Sequence, residues 1–301
     1  MSDTMESNVL TEETMTEMTQ IRKIRRKTLL YQSGVEYADY ALNHVEGCTH
    51  GCRYPCYAMM LKKRCGVIHT YQDWTKPKIV ENALELLEKE LPRKKNKIKE
   101  VFLCFATDPF MYQQPDVEEL TLKILEQLNR YSIKSVIISK GIYPKVLSDT
   151  SRFNPDNEYG STLVSLNDDF QSKYEPFASP IKDRVKALKN LHDAGLRTWI
   201  SMEPYPTPNL VKQDIQQILK EISFADKIVF GKWNYSKLTQ AFRGYKDFYN
   251  VNAKEVIQFC KKNRIDFHIK DKTIDLTNTE IKSTEKKILS NYLRLTAVSD
   301  V

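Results

Sequence analysis

Long apolar segments are missing from this sequence of 301 residues. None approaches the ~18 consecutive apolar residues that a transmembrane helix needs. The N-terminus also lacks the basic and apolar regions of a secretory signal peptide. We therefore expect a cytoplasmic protein with no membrane partner. In that compartment its six cysteines should be reduced or metal-bound rather than paired in disulfides.

Several familiar motifs are missing as well. No glycine-rich phosphate loop is present, which argues against a P-loop or dinucleotide-binding fold. The five histidines do not fall in the spacing of a metal site or a catalytic triad. There is no internal repeat and no strong linker, and 41% hydrophobic with 28% charged residues is ordinary for a globular protein. We expect one folded domain with appendages.

Positive charge is concentrated in the body of the chain. The 46 Lys and Arg against 39 Asp and Glu give a formal charge of +7. Residues 1–20 hold five acidic residues and no basic ones, so we expect a flexible acidic tail there and a charge of +12 over residues 21–301. Basic clusters lie at residues 22–27, 62–64 and 93–97. Such clusters are common on solvated surfaces and also neutralise phosphates, so nucleic acid is one candidate partner.

Hydrophobic periodicity predicts short strands that alternate with helices. The predicted strands are residues 40–45, 100–107, 135–140, 160–166, 197–203 and 227–232, with one more at 266–269. The predicted helices are residues 76–90, 117–131, 144–149, 180–194 and 209–223. This alternation is typical of parallel βαβ units. We predict an α/β fold, a partial (β/α)6 TIM-like barrel over residues 21–250 with a C-terminal helical extension over residues 251–301.

Three cysteines, Cys48, Cys52 and Cys56, follow the first predicted strand with the spacing C-x3-C-x3-C. Three thiolates within nine residues can surround one metal centre. Structural zinc usually takes four ligands in two separated pairs, and no second pair is present, although His50 could supply a fourth ligand. A three-cysteine loop suits a [4Fe–4S] cluster with one iron open to a small molecule. Zinc and free structural thiols stay open as alternatives.

This loop resembles the cluster loop of the radical S-adenosylmethionine (radical SAM) enzymes, and in particular of their spore photoproduct lyase-like branch. The usual spacing there is C-x3-C-x2-C, and this sequence inserts Pro55 between Tyr54 and Cys56. The resemblance continues in order through residues 43–58, 106–109, 138–140, 165–168, 174–176, 184, 194–195 and 201–206. It covers about residues 40–235 of the chain.

The resemblance implies the cofactors and a chemistry. A [4Fe–4S] cluster on Cys48, Cys52 and Cys56 would bind S-adenosylmethionine through its open iron. A one-electron donor such as a flavodoxin or ferredoxin would reduce the cluster, and the resulting 5′-deoxyadenosyl radical would abstract hydrogen from a substrate. The substrate is unknown, with nucleic acid as a candidate. The alternative is a non-catalytic, metal-stabilised module that binds nucleic acid.

Further residues at predicted strand ends are candidates for binding S-adenosylmethionine. The candidates are Tyr54 near the adenine, Thr107 and Asp108 at the methionyl amino group, Lys140 at the carboxylate, Ser165 at the ribose or carboxylate, and Glu203 at the ribose hydroxyls. Each also has a purely structural interpretation, such as a turn cap before Pro109 for Asp108. Glu203 should share its strand face with Ser201 and Trp199.

Strand alternation also orients the segment that leads to Thr107. If Thr107 faces the barrel interior, then Val101, Leu103 and Phe105 face it too, and Cys104 faces away. The lyase branch uses a further cysteine as hydrogen-atom donor, but this orientation favours a buried structural role for Cys104. Cys260 is expected in a helix core, and Cys65 has no evident role. The segment 231–235, at the end of the last strand, mixes a cation, an amide and aromatics that could line a substrate pocket.

Overall fold

The computed structural model describes residues 21–34 and 38–274. The predicted acidic tail at residues 1–20 lies outside the described residues, as do residues 275–301 of the predicted extension. The strands are β1 (Arg22–Ile24), β2 (Leu30–Gln32), β3 (Tyr40–Leu42), β4 (Val45–Glu46), β5 (Lys78–Val80), β6 (Glu100–Leu103), β7 (Lys134–Ser139), β8 (Glu158–Thr162), β9 (Arg197–Tyr205), β10 (Lys227–Lys232) and β11 (Asp266–Ile269). The α-helices are α1 (Tyr57–Arg64), α2 (Tyr71–Thr75), α3 (Ala83–Lys94), α4 (Pro115–Asn129), α5 (Asp168–Tyr174), α6 (Ile181–Asp193), α7 (Ile215–Glu221), α8 (Lys237–Gln240) and α9 (Tyr245–Asn263).

The main sheet has eight strands in the order β11-β10-β9-β8-β7-β6-β3-β2. All neighbouring pairs are parallel except β2 with β3. The prediction of an α/β fold with a parallel sheet is confirmed. The sheet differs from a six-stranded arrangement because β11 pairs with β10 as a seventh parallel strand. A separate three-stranded sheet has the order β1-β5-β4.

Local sequence signals explain where the longer helices begin and end. Helix α4 starts with Pro115, whose fixed φ suits a first helical position, and Asp116 follows in its first turn. Helix α6 buries Val185, Leu188 and Leu191 at helical spacing and ends at Asp193, and Gly195, with a φ of +86°, follows its C-cap residue. Among the described residues, none of the helices has the length and hydrophobicity of a membrane span.

The two faces of the main sheet are buried differently. Its outer face packs against the helices through a large core that includes Val101, Leu103, Ile137, Ile200 and Phe230. Its inner face holds a smaller cluster made by Ala41, Phe102, Val136, Trp199 and Val229. These inner residues come from strands as far apart in the sheet as β3 and β10. The inner cluster therefore runs across most of the width of the main sheet.

This burial corrects the predicted orientation of the segment before Thr107. Val101 and Leu103 face the outer helices, and Phe102 faces inward. Strand β6 ends at Leu103, and Cys104 has a left-handed φ of 58°, so period-two alternation does not extend to Thr107. On β9 Ile200 and Met202 belong to the outer core and Trp199 to the inner cluster, so alternation places Ser201 and Glu203 on the same face as Trp199.

Several predicted boundaries also move. The helix predicted at 76–90 is strand β5 followed by α3, and that at 144–149 is a 3₁₀ helix over Lys145–Ser148. Strand β8 ends at Thr162, four residues before the predicted end. Residue 250 lies within α9, and β11 extends the main sheet beyond it. The division of the chain at residue 250 stays a prediction.

We predict that Gly160→Ala destabilises the protein by about 1–3 kcal/mol, because overpacking a filled core forces side chains or backbone to shift. Gly160 lies under the indole of Trp199, and a Cβ there would stand 2.3 Å from a ring atom. The free energy of unfolding in urea measures the effect. Gly34→Ala is the matched control, since a Cβ at Gly34 meets nothing within 4 Å. Equal stabilities for the two variants would contradict this account of the inner core.

Candidate cluster site at the carboxyl end of the sheet

The three cysteines lie in one loop between β4 and α1, which we call the cysteine loop (residues 47–56). Cys48 and Cys52 are buried, and Cys56 is partly exposed immediately before α1. Burial raises the pKa of Cys52 to about 12 and raises the pKa of Cys48 well above its ordinary value. A metal that binds these thiols must displace their protons.

Backbone contacts hold the outer side of the cysteine loop. The Cys48 amide donates to the Trp74 carbonyl at 2.9 Å, and the Thr107 hydroxyl donates to the Gly47 carbonyl. The Tyr71 hydroxyl donates to the Gly51 carbonyl at 2.6 Å. Gly47 has a φ of +90°, and a Cβ there would meet the Trp74 carbonyl oxygen at 2.7 Å. Only glycine fits this close approach.

His50 is part of the bracing of the loop rather than a metal ligand. Its side chain is 1% exposed, and Nε2 accepts a hydrogen bond of 2.9 Å from the Tyr112 amide. Nδ1 lies 3.3 Å from a carboxylate oxygen of Asp108 and is the nitrogen that carries the proton in this arrangement. Since both ring nitrogens are engaged, His50 does not provide the fourth ligand that a zinc site would need.

The Asp108 carboxylate joins the cysteine loop to the end of β7. Besides His50 it accepts hydrogen bonds from the amides of Phe110 and Lys140, each at 2.9 Å, and from the Ser139 hydroxyl at 2.7 Å. Burial raises the pKa of Asp108, but His50 and these hydrogen bonds outweigh burial, so the net pKa is lowered. With four protein donors the carboxylate is fully occupied, which matches the structural interpretation of Asp108 as a cap.

A second brace holds the inner side of the loop and centres on Glu175. Its carboxylate accepts from the Tyr54 hydroxyl at 3.0 Å and from the Arg184 guanidinium at 3.0 Å. Arg184, 1% exposed, also donates to the carbonyls of Thr162 and Ser179. Burial raises the pKa of Glu175, but Arg184 and Lys140 lower it more, so the carboxylate stays ionised. The buried charges are thus paired, as a low dielectric requires.

Lys140 lies beside this brace with its ammonium 5.4 Å from the centre of the Tyr54 ring. Burial lowers the pKa of Lys140, but the neighbouring Cys52 and Glu175 raise it more, so the side chain is a cation. Within residues 21–34 and 38–274 its ammonium forms no ion pair within 4.0 Å, whereas its backbone is fixed by Asp108 and Ser179. A cation therefore points toward the cysteine loop.

The remaining candidates lie around the same end of the sheet. Ser165 is buried three residues beyond β8, and its hydroxyl accepts from the Asn167 amide at 3.1 Å. Glu203 lies over Gly231, where a Cβ would stand 2.9 Å from the Glu203 side chain. Trp233 packs edge-on against Tyr54 with ring centres 5.3 Å apart, and its indole nitrogen is buried without a hydrogen-bond partner among the described residues.

Cys104 is separated from this site. Its sulfur lies 3.4 Å from Nδ1 of His44, whose Nε2 contacts the Thr121 hydroxyl at 2.7 Å. Burial, followed by the nearby Arg26, lowers the pKa of His44 to about 3, and burial raises the pKa of Cys104 above its ordinary value. The pair is neutral and buried. Cys260 lies in the outer core on α9, as predicted, and Cys65 is exposed.

Sequence reasoning gave no role to three residues that shape the site. His50 was considered only as a ligand, and Glu175 and Arg184 were noticed only as parts of a motif. Their spacing of nine residues across a turn carries no periodic signal. Glu175 follows α5 and Arg184 lies in the first turn of α6, so the two side chains pair only once these helices fold back on each other.

The donor set of the cysteine loop fits a cluster better than a single ion. Within residues 21–34 and 38–274, no three His, Cys, Asp or Glu side chains converge as they would around one metal ion. Structural zinc usually takes four protein ligands, and the loop offers three thiols beside a His50 whose ring nitrogens are both engaged. In a [4Fe–4S] cluster each thiolate binds a different iron, so three thiols in one loop are suitable ligands for three of the four irons.

Comparison with known proteins places this site in a family. The model of the Radical SAM superfamily matches residues 42–222, more than half of the chain. The uncharacterized protein ORF301 of Acidianus two-tailed virus is 28% identical over 204 residues, which are 63% of this chain and 65% of that protein. The chain thus covers slightly less than two thirds of this relative. The uncharacterized protein MJ0683 of Methanocaldococcus jannaschii is 23% identical over 79% of this chain and 86% of that protein.

Solved structures show the same fold. Spore photoproduct lyase complexed with dinucleoside spore photoproduct matches with a TM-score of 0.59 and 15% identity, over 82% of this chain and 80% of that chain. A variant of that lyase with bound AdoMet and dinucleoside spore photoproduct matches with a TM-score of 0.59 and 14% identity over the same shares. At this identity the likeness supports the fold alone.

We predict that Glu175→Gln destabilises the protein by about 3–5 kcal/mol, because it leaves the Arg184 charge buried without its partner. Tyr54→Phe, the matched variant on the other side of the carboxylate, removes one hydrogen bond and should cost about 1 kcal/mol. Urea unfolding of both single variants and of the double variant measures how far each substitution lowers the free energy of unfolding. The double variant also gives the interaction energy between the two substitutions. If Glu175→Gln lowers the free energy of unfolding no more than Tyr54→Phe does, the ion pair between Glu175 and Arg184 is not the main stabilising contact here.

Proposed function

The chain belongs to the Radical SAM superfamily, and on that premise we propose that Cys48, Cys52 and Cys56 hold a [4Fe–4S] cluster whose fourth iron binds S-adenosylmethionine. Such a cluster, when bound and reduced, would supply the one-electron cleavage of S-adenosylmethionine to methionine and a 5′-deoxyadenosyl radical, which would abstract hydrogen from the substrate. The protein is a radical SAM enzyme, and its own residues position the reactants and exclude water.

One observation carries this proposal most directly. The cysteine loop offers three thiols, while its fourth potential ligand, His50, is engaged at both ring nitrogens. Three thiolates would bind three irons of a [4Fe–4S] cluster, which leaves the fourth iron open to a small molecule. Because Asp108, Glu175 and the backbone contacts brace the loop with protein groups, the three cysteines are held ready for the cluster.

We propose that the Lys140 ammonium binds the carboxylate of the methionyl group of S-adenosylmethionine. Its ammonium is the cation beside Cys52, and a charge-assisted hydrogen bond would fix the amino acid end of the cofactor at the cysteine loop. Tyr54 contributes by packing under that ammonium. Thr107 and Asp108 act by holding the loop, since their side chains are already occupied by Gly47 and by His50 and its neighbours.

Two further candidates, Glu203 and Ser165, are proposed to bind the ribose of S-adenosylmethionine. Glu203 faces the inner space from the end of β9, where its carboxylate can accept from ribose hydroxyls. Ser165 uses its oxygen to accept from Asn167 and keeps its proton to donate to the ribose or the carboxylate. The indole nitrogen of Trp233, a buried donor beside Tyr54, adds a polar group at the same side of the space.

The proposed substrate class is nucleic acid. The charge of +12 over residues 21–301 and the fold shared with a lyase that binds a dinucleoside photoproduct support this class. Cys104 contacts His44, so we assign it no hydrogen-donor role. We therefore propose no cysteine-dependent dimer reversal for this chain.

We predict about four irons per chain after anaerobic reconstitution, and formation of 5′-deoxyadenosine when dithionite and S-adenosylmethionine are added. Cys48→Ala, Cys52→Ala and Cys56→Ala should each lose most of the iron and all product, while the exposed Cys65→Ala serves as the matched control and should retain both. Stoichiometric zinc without product, or full activity in a loop variant, would contradict the proposal. Stimulation of product formation by added DNA or RNA tests the substrate class.

We predict that Lys140→Met raises the Kd for S-adenosylmethionine by about 10–100-fold, because a charge-assisted hydrogen bond contributes about 1.5–3 kcal/mol. Calorimetry on the reconstituted, oxidised protein measures the Kd without turnover. The matched control is Lys145→Met, which removes an exposed lysine. Iron content should be equal in both variants, and an unchanged Kd in Lys140→Met would remove Lys140 from the cofactor site.

A further inference from the structure

The strand at one edge of the main sheet brings a lysine to the inner face, close to Glu203. Strand β11 runs parallel to β10, and Ile269 lies opposite Phe230. Phe267 and Ile269 pack against the outer core. Because the side chains of a strand alternate between its two faces, Lys270 should point to the inner face, where Glu203 also lies. The Lys270 amide donates to the Phe230 carbonyl at 2.9 Å, which fixes the backbone at this point.

Gly231 on β10 marks the place where the two side chains meet. A Cβ on Gly231 would stand 2.9 Å from the carboxyl carbon of Glu203 and 2.9 Å from Cγ of Lys270. These two atoms are therefore no further apart than twice that distance. The ammonium of a lysine lies three bonds beyond Cγ on a flexible stem, so the Lys270 ammonium can reach the Glu203 carboxylate. The missing side chain of Gly231 leaves the room that both residues occupy.

The pairing of β9 with β10 is irregular at the same glycine. Met202 is opposite Phe230, but Tyr205 is opposite Lys232, so β9 has two residues for the one residue between them on β10. An extra residue of this kind bends a strand and redirects its side chains. Glu203 is one of the two residues, so the irregular pairing helps to set the direction of its carboxylate.

We propose that Lys270 is a positioning residue for the cofactor: its ammonium holds the Glu203 carboxylate so that this carboxylate accepts from the ribose hydroxyls of S-adenosylmethionine. This inference rests on the proposed function, which assigns Glu203 to the ribose. Both side chains are partly buried, and a charge-assisted hydrogen bond between them would orient the acceptor. Strand β11 lies outside residues 42–222, so the family match assigns no role to Lys270.

A phosphate group of a nucleic-acid substrate fits Lys270 less well. The Glu203 carboxylate beside it would repel a phosphate and offsets the charge of the lysine. A ribose hydroxyl, in contrast, can donate to the carboxylate while the lysine stays in contact with it. The charges at Gly231 therefore favour a neutral diol as the group that is bound.

The test measures binding without turnover. Calorimetry on the reconstituted, oxidised protein gives the Kd for S-adenosylmethionine and for its 2′-deoxy and 3′-deoxy forms, and the iron content of each protein is checked. The variants are Lys270→Met, the conservative Lys270→Arg, Glu203→Gln and the double variant Lys270→Met/Glu203→Gln. Lys272→Met is the matched control, since it removes an exposed lysine two residues further along the chain.

We expect Lys270→Met to raise the Kd for S-adenosylmethionine by about tenfold, because hydrogen bonds to charged groups are strong. Lys270→Arg should restore most of the affinity, since it keeps a donor cation, and Lys272→Met should bind as the wild type does. The double variant should bind no more weakly than Glu203→Gln alone, because Lys270 acts through that carboxylate. The deoxy form that lacks the hydroxyl bound by Glu203 should bind equally to the wild type and to Lys270→Met, which a merely structural role of the lysine would not produce.

Three results would overturn the proposal. An unchanged Kd for S-adenosylmethionine in Lys270→Met would show that the lysine does not contribute to cofactor binding. Additive effects in the double variant would show that it acts independently of Glu203. Weaker binding of a DNA oligonucleotide by Lys270→Met, with an unchanged Kd for S-adenosylmethionine, would assign the lysine to a phosphate of the substrate. Absence of S-adenosylmethionine binding by the iron-loaded wild type would instead contradict the proposed function itself, and this inference with it.

Discussion

The buried carboxylate of Asp108 is the contact on which the rest of the site depends. It accepts from four groups, and these belong to the cysteine loop, to its own turn and to the end of β7. An ionised carboxylate is costly to bury unless such donors replace water, so its position is closely specified by the fold. Because one of those donors is the Lys140 amide, the same carboxylate fixes where the Lys140 side chain begins. The position of the loop and the position of the cation are therefore set together.

The cysteine loop separates two environments. On its inner side Cys52 meets the aromatic rings and the paired charges of Glu175 and Arg184. On its outer side Cys48 and Cys56 meet the apolar core under the small sheet. A buried ion pair adds little net stability but is costly to break, so its role here is to specify geometry. This division gives the loop one side lined by aromatic rings and paired charges and another side lined by the apolar core.

The sequence predicted the α/β architecture and singled out the three cysteines of one loop, because both have periodic or local signals. Their role as metal ligands stays a prediction. Six strands and the three cysteines follow from hydrophobic runs and from one short motif. Orientation failed where the signal stopped being periodic: Cys104 takes a left-handed φ, so the faces assigned to Val101 and Leu103 were reversed. The roles of His50 and Arg184 could not be predicted, since each pairs with a residue brought close only by tertiary folding.

The braces also decide how the loop behaves when the metal centre is loaded. Zinc fingers fold only with their metal because the ligands themselves hold the fold together. Here the loop is held by carboxylate, histidine and backbone partners that are all protein groups, and burial raises the pKa of Cys48 and of Cys52. Assembly of the proposed cluster would exchange thiol protons for iron within a loop that these protein contacts already hold.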